Sequence, residues 1–114
     1  MRRIYKLIDE AAWEAARAKG VFTGSAVDHA DGFIHFSTAD QAAETARRHF
    51  AGQDHLMLLT IDAEVLGAPL RWESSRGGAL FPHLYAPLRI DAVVEERKLE
   101  LDPHGIPLLG AIEP

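Results

Sequence analysis

Residues 32–38 read Gly32-Phe33-Ile34-His35-Phe36-Ser37-Thr38, and they join a predicted strand directly to a predicted helix. The aromatic and β-branched residues that follow Gly32 are typical of a buried strand. Because successive side chains of a strand point to opposite faces, we expect Phe33, His35 and Ser37 to share one face. The stretch therefore predicts a strand that presents an imidazole and a hydroxyl on a mostly apolar face.

The helix predicted after this strand has Thr38 as its N-cap, with Ser37 as a competing cap. Thr38 and Gln41 have the spacing of a capping box, in which each side chain bonds the backbone N–H of the other residue. The first backbone N–H groups of a helix lack intrahelical partners and favour a phosphate or a carboxylate. These residues indicate either a small anion-binding site or a hydrogen-bonded core histidine followed by an ordinary capped helix.

The composition is that of an ordinary globular protein, because 47% of the 114 residues are hydrophobic and 25% are charged. We expect one domain over residues 1–114, large enough to fold without a disulfide or a metal. The chain contains no cysteine, which excludes disulfides, a thiol nucleophile and cysteine-ligated metal centres. The expected compartment is the reducing cytoplasm.

The net charge of −5, from 12 Lys and Arg against 17 Asp and Glu, argues against non-specific nucleic-acid binding. The basic N-terminus is not followed by the apolar core of a signal peptide. No apolar run approaches the roughly 20 residues that cross a bilayer. The partner that we expect is therefore a small molecule, such as a nucleotide or another anion, and we expect no membrane contact.

Hydrophobic patterning predicts two helices in the N-terminal half of the chain. Asp9 is a favourable N-cap for a helix over residues 10–19, which ends at Gly20. The second helix spans residues 39–50. Residues 55–61 form an almost continuous apolar run, which predicts the middle strand of a sheet that is covered on both faces.

The rest of the chain is rich in predicted strands, which indicates an α+β fold rather than alternating β and α units. A loop is expected over residues 24–31, and a rigid aromatic turn between two prolines over residues 80–87. Further strands are predicted over residues 4–8, 21–23, 70–74, 88–90, 92–101 and 106–112.

Three segments place polar side chains among apolar neighbours, beside predicted chain reversals. They contain His35, Ser37 and Thr38; Arg71 and Glu73; and His83 and Tyr85. A histidine and a glutamate can share general acid–base work if the fold brings them within hydrogen-bond reach.

Each of these segments also has a purely structural interpretation. Glu73 follows Trp72, and a carboxyl group in a partly dry aromatic pocket has a raised pKa, but Glu73 could instead pair with Arg71, Arg76 or a lysine. His83 is either a site residue or a turn histidine bonded to backbone. Tyr85 is either a stacking platform or a core residue.

Phosphate, metal and nucleophile sites receive weaker support from the residues. Arg76 with the glycines after it could wrap a phosphate, although no complete phosphate-loop motif is present. His35, Glu73 and His83 are the residue types of a two-histidine, one-carboxylate metal site. No metal-binding spacing accompanies them, so no metal ligand is assigned. Ser37 as a nucleophile lacks a suitably placed base, because His35 projects parallel to it.

Three sequence segments together resemble the domain-of-unknown-function 952 family of small bacterial proteins. They are Gly32-Phe33-Ile34-His35-Phe36-Ser37, Trp72-Glu73 and Leu80-Phe81-Pro82-His83-Leu84-Tyr85, and the N-terminal Ile4-Tyr5-Lys6-Leu7 with Trp13 also fits. This resemblance implies a distant relation to the ADP-ribosyltransferase fold, which includes poly(ADP-ribose) polymerases and RNA 2′-phosphotransferases. It implies a split, strongly twisted and mainly antiparallel sheet.

The resemblance also implies roles for particular residues. In that fold a His-Gly-Ser/Thr motif holds a ribose and the amide of NAD, a tyrosine stacks on nicotinamide, and a late glutamate supports the reacting ribose. His35-Phe36-Ser37 is similar to the first motif, with Phe36 in place of glycine. Tyr85 matches the stacking residue. Glu73 matches the glutamate in type but precedes Tyr85, and the alternatives that restore the order are Glu95, Glu96 and Glu100.

The function that we predict is binding of NAD or a related ADP-ribose compound, with transfer or hydrolysis of the ADP-ribosyl group. The predicted catalytic residues are His35, Glu73 and Tyr85. The predicted ligand-binding residues are Ser37, Thr38, Arg71, Arg76 and His83. NAD is expected as a substrate rather than as a resident cofactor. The alternative is a non-catalytic module that binds a small anion or a peptide in the same pocket.

Overall fold

The computed structural model describes residues 1–114, except for the side chain of Arg76. Its helices are α1 (Glu10–Lys19), α2 (Ala26–Asp31) and α3 (Ala39–His49). Its strands are β1 (Arg3–Asp9), β2 (Val21–Phe22), β3 (Ile34–His35), β4 (Leu56–Asp62), β5 (Leu70–Ser74), β6 (Leu80–Leu84), β7 (Leu88–Arg89), β8 (Val93–Lys98), β9 (Glu100–Leu101) and β10 (Pro107–Leu108).

Two antiparallel three-stranded sheets form the framework, with strand orders β1-β4-β8 and β3-β6-β5. They meet where Tyr5 and Ser37 exchange backbone hydrogen bonds of 2.7 and 2.9 Å. Two small ribbons, β2-β7 and β9-β10, complete the strand pairing among the described residues. The α+β prediction is confirmed. So is the prediction of the middle strand, because β4 lies between β1 and β8.

Helix α1 begins and ends as its sequence predicts. The Asp9 carboxylate accepts hydrogen bonds from the N–H groups of Ala11 and Ala12, and Gly20 adopts the left-handed conformation with φ of 91°. Trp13 is 1% exposed and packs in the core beside Ile8. The local capping signals were sufficient here because they bear directly on the helix ends.

The loop predicted over residues 24–31 is wrong, because α2 lies within it. Ser25 and Asp28 form a capping box, in which the Ser25 N–H donates to the Asp28 carboxylate over 2.9 Å. Gly32 ends the helix with φ of 87°. A helix of six residues is too short to show a 3.6-residue hydrophobic period, so its capping residues were the signal that the sequence offered.

The turn predicted over residues 80–87 is wrong for residues 80–84, which form β6, the middle strand of its sheet, whereas the chain does bend at Tyr85 and Ala86. Proline is unfavourable in such a position because it has no N–H to donate. Pro82 is tolerated because β3 is only two residues long and the Phe36 N–H donates to the Pro82 carbonyl over 3.1 Å. The strand predicted over residues 92–101 is divided at Leu99 into β8 and β9.

The central sheet is covered on both faces. One face packs with α1 in a core that contains Ile4, Ile8 and Trp13, and the other packs with α3 through Leu7 and Ala42. The α3 helix ends at His49, one residue before the predicted end. Among the described residues, no helix has the length and apolar character needed to cross a bilayer.

Candidate functional site

A buried ion pair lies under the segment quoted at the start. Lys6 lies two positions after Ile4 on β1, so its side chain is on the same face of the strand. It therefore points into the apolar core, where it is only 7% exposed. Its Nζ lies 3.3 Å from the Asp28 carboxylate and donates to the His35 carbonyl over 2.9 Å. The rings of Phe22 and Phe36 lie 5.6 Å from the ammonium group. Neither member of the pair was singled out by the sequence analysis.

Each member of the pair opposes the effect of burial on the other. Burial lowers the pKa of Lys6, and the Asp28 carboxylate opposes this effect. Burial would raise the pKa of Asp28, but the hydrogen bond from His35 and the charge of Lys6 hold it well below its ordinary value. A signal for this pair existed in the sequence, since a lysine alternates with isoleucines and Asp28 stands at capping-box distance from Ser25.

The imidazole of His35 is held between two carboxylates. Its Nδ1 lies 2.6 Å from Asp28 and its Nε2 lies 2.8 Å from Asp31. The Asp28 carboxylate also accepts the backbone N–H of His35 over 3.1 Å. Both ring nitrogens of His35 therefore lie within hydrogen-bond reach of a carboxylate oxygen, which only accepts hydrogen bonds when it is ionised. One-third of the His35 side chain is exposed.

Glu73, His83 and Tyr85 form a second cluster on the sheet that contains β5 and β6. One oxygen of Glu73, Oε1, accepts hydrogen bonds from His83 Nδ1 over 2.8 Å and from the Tyr85 hydroxyl over 2.7 Å. The predicted raised pKa of Glu73 is wrong. The hydrogen bonds from Tyr85 and His83 lower the pKa of Glu73. The Tyr85–Glu73 hydrogen bond also raises the pKa of Tyr85.

Trp72 does not dry the surroundings of Glu73, because neighbouring strand residues face opposite ways. The Trp72 ring instead lies 4.2 Å from the guanidinium of Arg2. The turn interpretation of His83 is wrong as well, because this residue lies within β6, is 6% exposed and bonds a side chain.

The ring of Phe33 connects the two clusters. It stacks on His83 with centroids 4.0 Å apart, and it lies 4.6 Å from His35 and 5.3 Å from Tyr85. The two imidazoles contact each other edge to face at 5.7 Å. Arg71 lies over the Tyr85 ring at 4.9 Å. Five of the predicted site residues are therefore brought into one continuous cluster: His35, Arg71, Glu73, His83 and Tyr85.

A groove of about 800 Å³ opens beside this cluster, between α2 and α3. Its lining includes Lys6, Asp31, His35, Arg48, Phe81 and His83. Tyr85 lies instead on a smaller cavity of about 230 Å³, which it lines together with Phe33. Asp28 contributes to the walls of both spaces.

The family model described as protein of unknown function (DUF952) matches residues 7–96. The chain belongs to this family. It is similar to the crystal structure of protein CC0527 from Caulobacter crescentus, with 56% sequence identity, a TM-score of 0.92 and coverage of 94% of each chain. The solution NMR structure of CC0527 is similar at 56% identity and a TM-score of 0.86, covering 96% of this chain and 95% of that chain. No curated protein matches it.

Two of the remaining predicted site residues, Ser37 and Thr38, have hydrogen-bond partners outside the cluster. Ser37 is 5% exposed, and its hydroxyl lies 2.9 Å from that of Thr45, although Ser37 also contributes to the groove wall. The Thr38 N–H donates to Gln41 Oε1 over 3.0 Å, so the capping box uses a donor that the anion hypothesis required. The Arg76 side chain lies outside the described residues.

The alternative glutamates lie away from the cluster. Glu95 and Glu96 are on β8, at the far edge of the central sheet from β1, and Glu96 pairs with Arg17 at 3.3 Å. Glu100 is on the ribbon strand β9. Glu73 is therefore the glutamate that the fold brings to Tyr85. Within the described part of the chain, no three His, Asp or Glu side chains have an arrangement that could hold a metal ion.

Proposed function

We propose that this protein binds NAD or a related ADP-ribose compound in the groove and transfers or hydrolyses the ADP-ribosyl group. The observation that supports the proposal is the convergence of His35, Glu73, His83 and Tyr85 around Phe33, beside a groove of about 800 Å³. Binding sites for small molecules have volumes of roughly 300–1,000 Å³ and combine apolar walls with a few polar groups.

Each group in the cluster suits one part of such a ligand. The His35 ring offers a ring N–H to a ligand oxygen. The Tyr85 ring is 41% exposed and lines the smaller cavity of about 230 Å³, where it provides a surface for a flat ring. The lowered pKa of Glu73 keeps it ionised at neutral pH, and an ionised carboxylate stabilises the positive charge that develops on a ribose during transfer.

The proposal extends to the wider fold and the compartment. It includes a distant relation to the ADP-ribosyltransferase fold, which is supported by the split antiparallel arrangement of the two main sheets. A cytoplasmic location in a bacterium is supported by the lack of cysteine and by the bacterial source of CC0527.

Calorimetric titration with NAD and with ADP-ribose tests binding. We expect heat of binding from the wild type, loss of most of the affinity in His35→Ala, and no change in His104→Ala. The control histidine is exposed in a turn and does not line the groove. The absence of heat with both ligands in the wild type would refute the proposal. Detection of nicotinamide after incubation with NAD then tests the chemistry.

A second candidate is a non-catalytic module that binds a small anion or a peptide in the same groove. It is favoured by the hydrogen bonds of the cluster, because both ring nitrogens of His35 face a carboxylate oxygen and Glu73 Oε1 already accepts two bonds. A general base needs a free acceptor. Binding without release of nicotinamide would favour this second function.

A further inference from the structure

The two carboxylates that hold His35 differ in how firmly they are themselves held. Asp28 is 2% exposed and is fixed by Lys6, by Ser25 and by the backbone of His35. Asp31 is the last residue of α2, its side chain is 48% exposed, and its carboxylate contacts His35 Nε2. Asp28 therefore fixes the imidazole ring, while Asp31 can leave it at little cost, since exposed pairs contribute little stability.

We propose that Asp31 occupies the position of a ligand oxyanion, a phosphate or carboxylate oxygen, and that ligand binding displaces it from His35 Nε2. This inference rests on the proposed function, because it places the ligand in the same groove. Asp31 and His35 both line that groove. The chain thus already shows a carboxylate oxygen as hydrogen-bond partner of Nε2 at 2.8 Å.

The chemical class of the ligand group follows from the competition with Asp31. Hydrogen bonds to a charged acceptor are roughly twice as strong as those to a neutral acceptor. A neutral hydroxyl therefore cannot replace the Asp31 carboxylate efficiently, whereas a phosphate or carboxylate can. The ring does not need to reorient when Asp31 leaves, because Asp28 holds Nδ1 and the backbone of the same residue.

The two cationic side chains that line the groove already have carboxylate partners. Lys6 Nζ lies 3.3 Å from Asp28, and Arg48 Nε bonds Glu44 over 2.8 Å. An incoming oxyanion therefore finds its position at His35 Nε2, where the exposed Asp31 carboxylate is the group to be displaced.

The test titrates inorganic phosphate, acetate and ADP-ribose into the wild type, Asp31→Asn and Asp91→Asn while the His35 ring nitrogens are followed by ¹⁵N NMR. Asp91→Asn is the matched control, since it removes one exposed carboxylate that does not line the groove. We expect Asp31→Asn to bind the favoured oxyanion about tenfold more tightly than the wild type, which corresponds to about 1.4 kcal/mol. We expect Asp91→Asn to match the wild type, and the His35 Nε2 signal to shift on binding. The stronger of phosphate and acetate identifies the oxyanion.

Equal affinity of all three proteins, or binding that leaves the His35 Nε2 signal unchanged, would overturn the inference. Failure of phosphate, acetate and ADP-ribose to bind would overturn it as well. The variant Asp31→Ser repeats the measurement if Asp31→Asn loses its folded spectrum. Binding of ADP-ribose with equal affinity by the wild type and Asp31→Asn would leave the proposed function standing without this inference. If phosphate binds but neither ADP-ribose nor NAD does, the inference about Asp31 stands and the proposed function fails.

Discussion

Replacement of Asp28 by asparagine should destabilise the protein strongly, because it leaves the Lys6 ammonium buried without its counter-ion. The substitution preserves the size of the side chain but removes the charge that lies 3.3 Å from Lys6 Nζ and 2.6 Å from His35 Nδ1. Removal of one partner of a buried ion pair costs about 3–5 kcal/mol. Since water can reach the groove beside Asp28, we expect the lower end, about 3 kcal/mol.

Urea denaturation followed by circular dichroism measures this loss directly. A loss of about 3 kcal/mol corresponds to a fall in Tm of roughly 12 °C for a domain of this size. Asp31→Asn, which removes an exposed carboxylate from the other side of the same imidazole, should cost less than about 1 kcal/mol. In the double variant Asp28→Asn with Lys6→Met, the free energy of unfolding should fall by less than the sum of the two single-variant losses, because no charged partner is then left alone. A loss below about 1 kcal/mol for Asp28→Asn would refute the reasoning.

The sign of the pH dependence follows from the lowered pKa of Asp28. A carboxylate whose folded pKa lies below its unfolded value adds stability above the unfolded pKa, about 3.9 for aspartate. That contribution is lost as the pH falls from about 4 toward the folded pKa. The stability difference between the wild type and Asp28→Asn should therefore be constant near neutral pH and shrink in acid.

Three further predictions concern single residues. Tyr85→Phe should raise the pKa of Glu73, because the Tyr85 hydroxyl is the main cause of its lowered value; carboxyl NMR titration measures this, and an unchanged pKa would contradict it. Ser37→Ala should cost about 1 kcal/mol through the lost hydrogen bond to Thr45 and leave ADP-ribose affinity unchanged; a large loss of affinity would instead make Ser37 a ligand-binding residue. Gly32→Ala should cost about 1 kcal/mol in thermal unfolding, since φ is 87° and no atom lies near the added methyl group; a neutral result would show that the end of α2 relaxes.

The sequence predicted best those features that are determined by neighbours along the chain. The ends of α1 depend on Asp9 and Gly20, which act on groups within one helical turn. The position of β4 followed from its unbroken apolar run. Residues that were grouped as polar interruptions on separate strands, including His35 and His83, do lie in contact in the folded chain.

The features that the sequence did not predict depend on partners that are distant along the chain. Asp28 lies in α2 and pairs with Lys6 on the distant strand β1, so its local role in a capping box was its visible signal in the sequence. The pKa of Glu73 was assigned the wrong direction because its donors come from β6 and the residue after it, not from the adjacent Trp72. Pro82 was predicted to lie in a turn. A proline is permitted in β6 because the neighbouring strand β3 is short, and the length of that partner strand is not visible in the sequence around Pro82.

The central claim is that a nucleotide ligand occupies the groove at His35. Backbone amide chemical shifts recorded during titration with ADP-ribose test it most directly. The account predicts that the largest shifts occur at Lys6, Asp31, His35 and His83, which line the groove, and that β8 is unaffected. Saturable shifts concentrated on β8 with the groove unchanged, or no saturable shift at all, would contradict it.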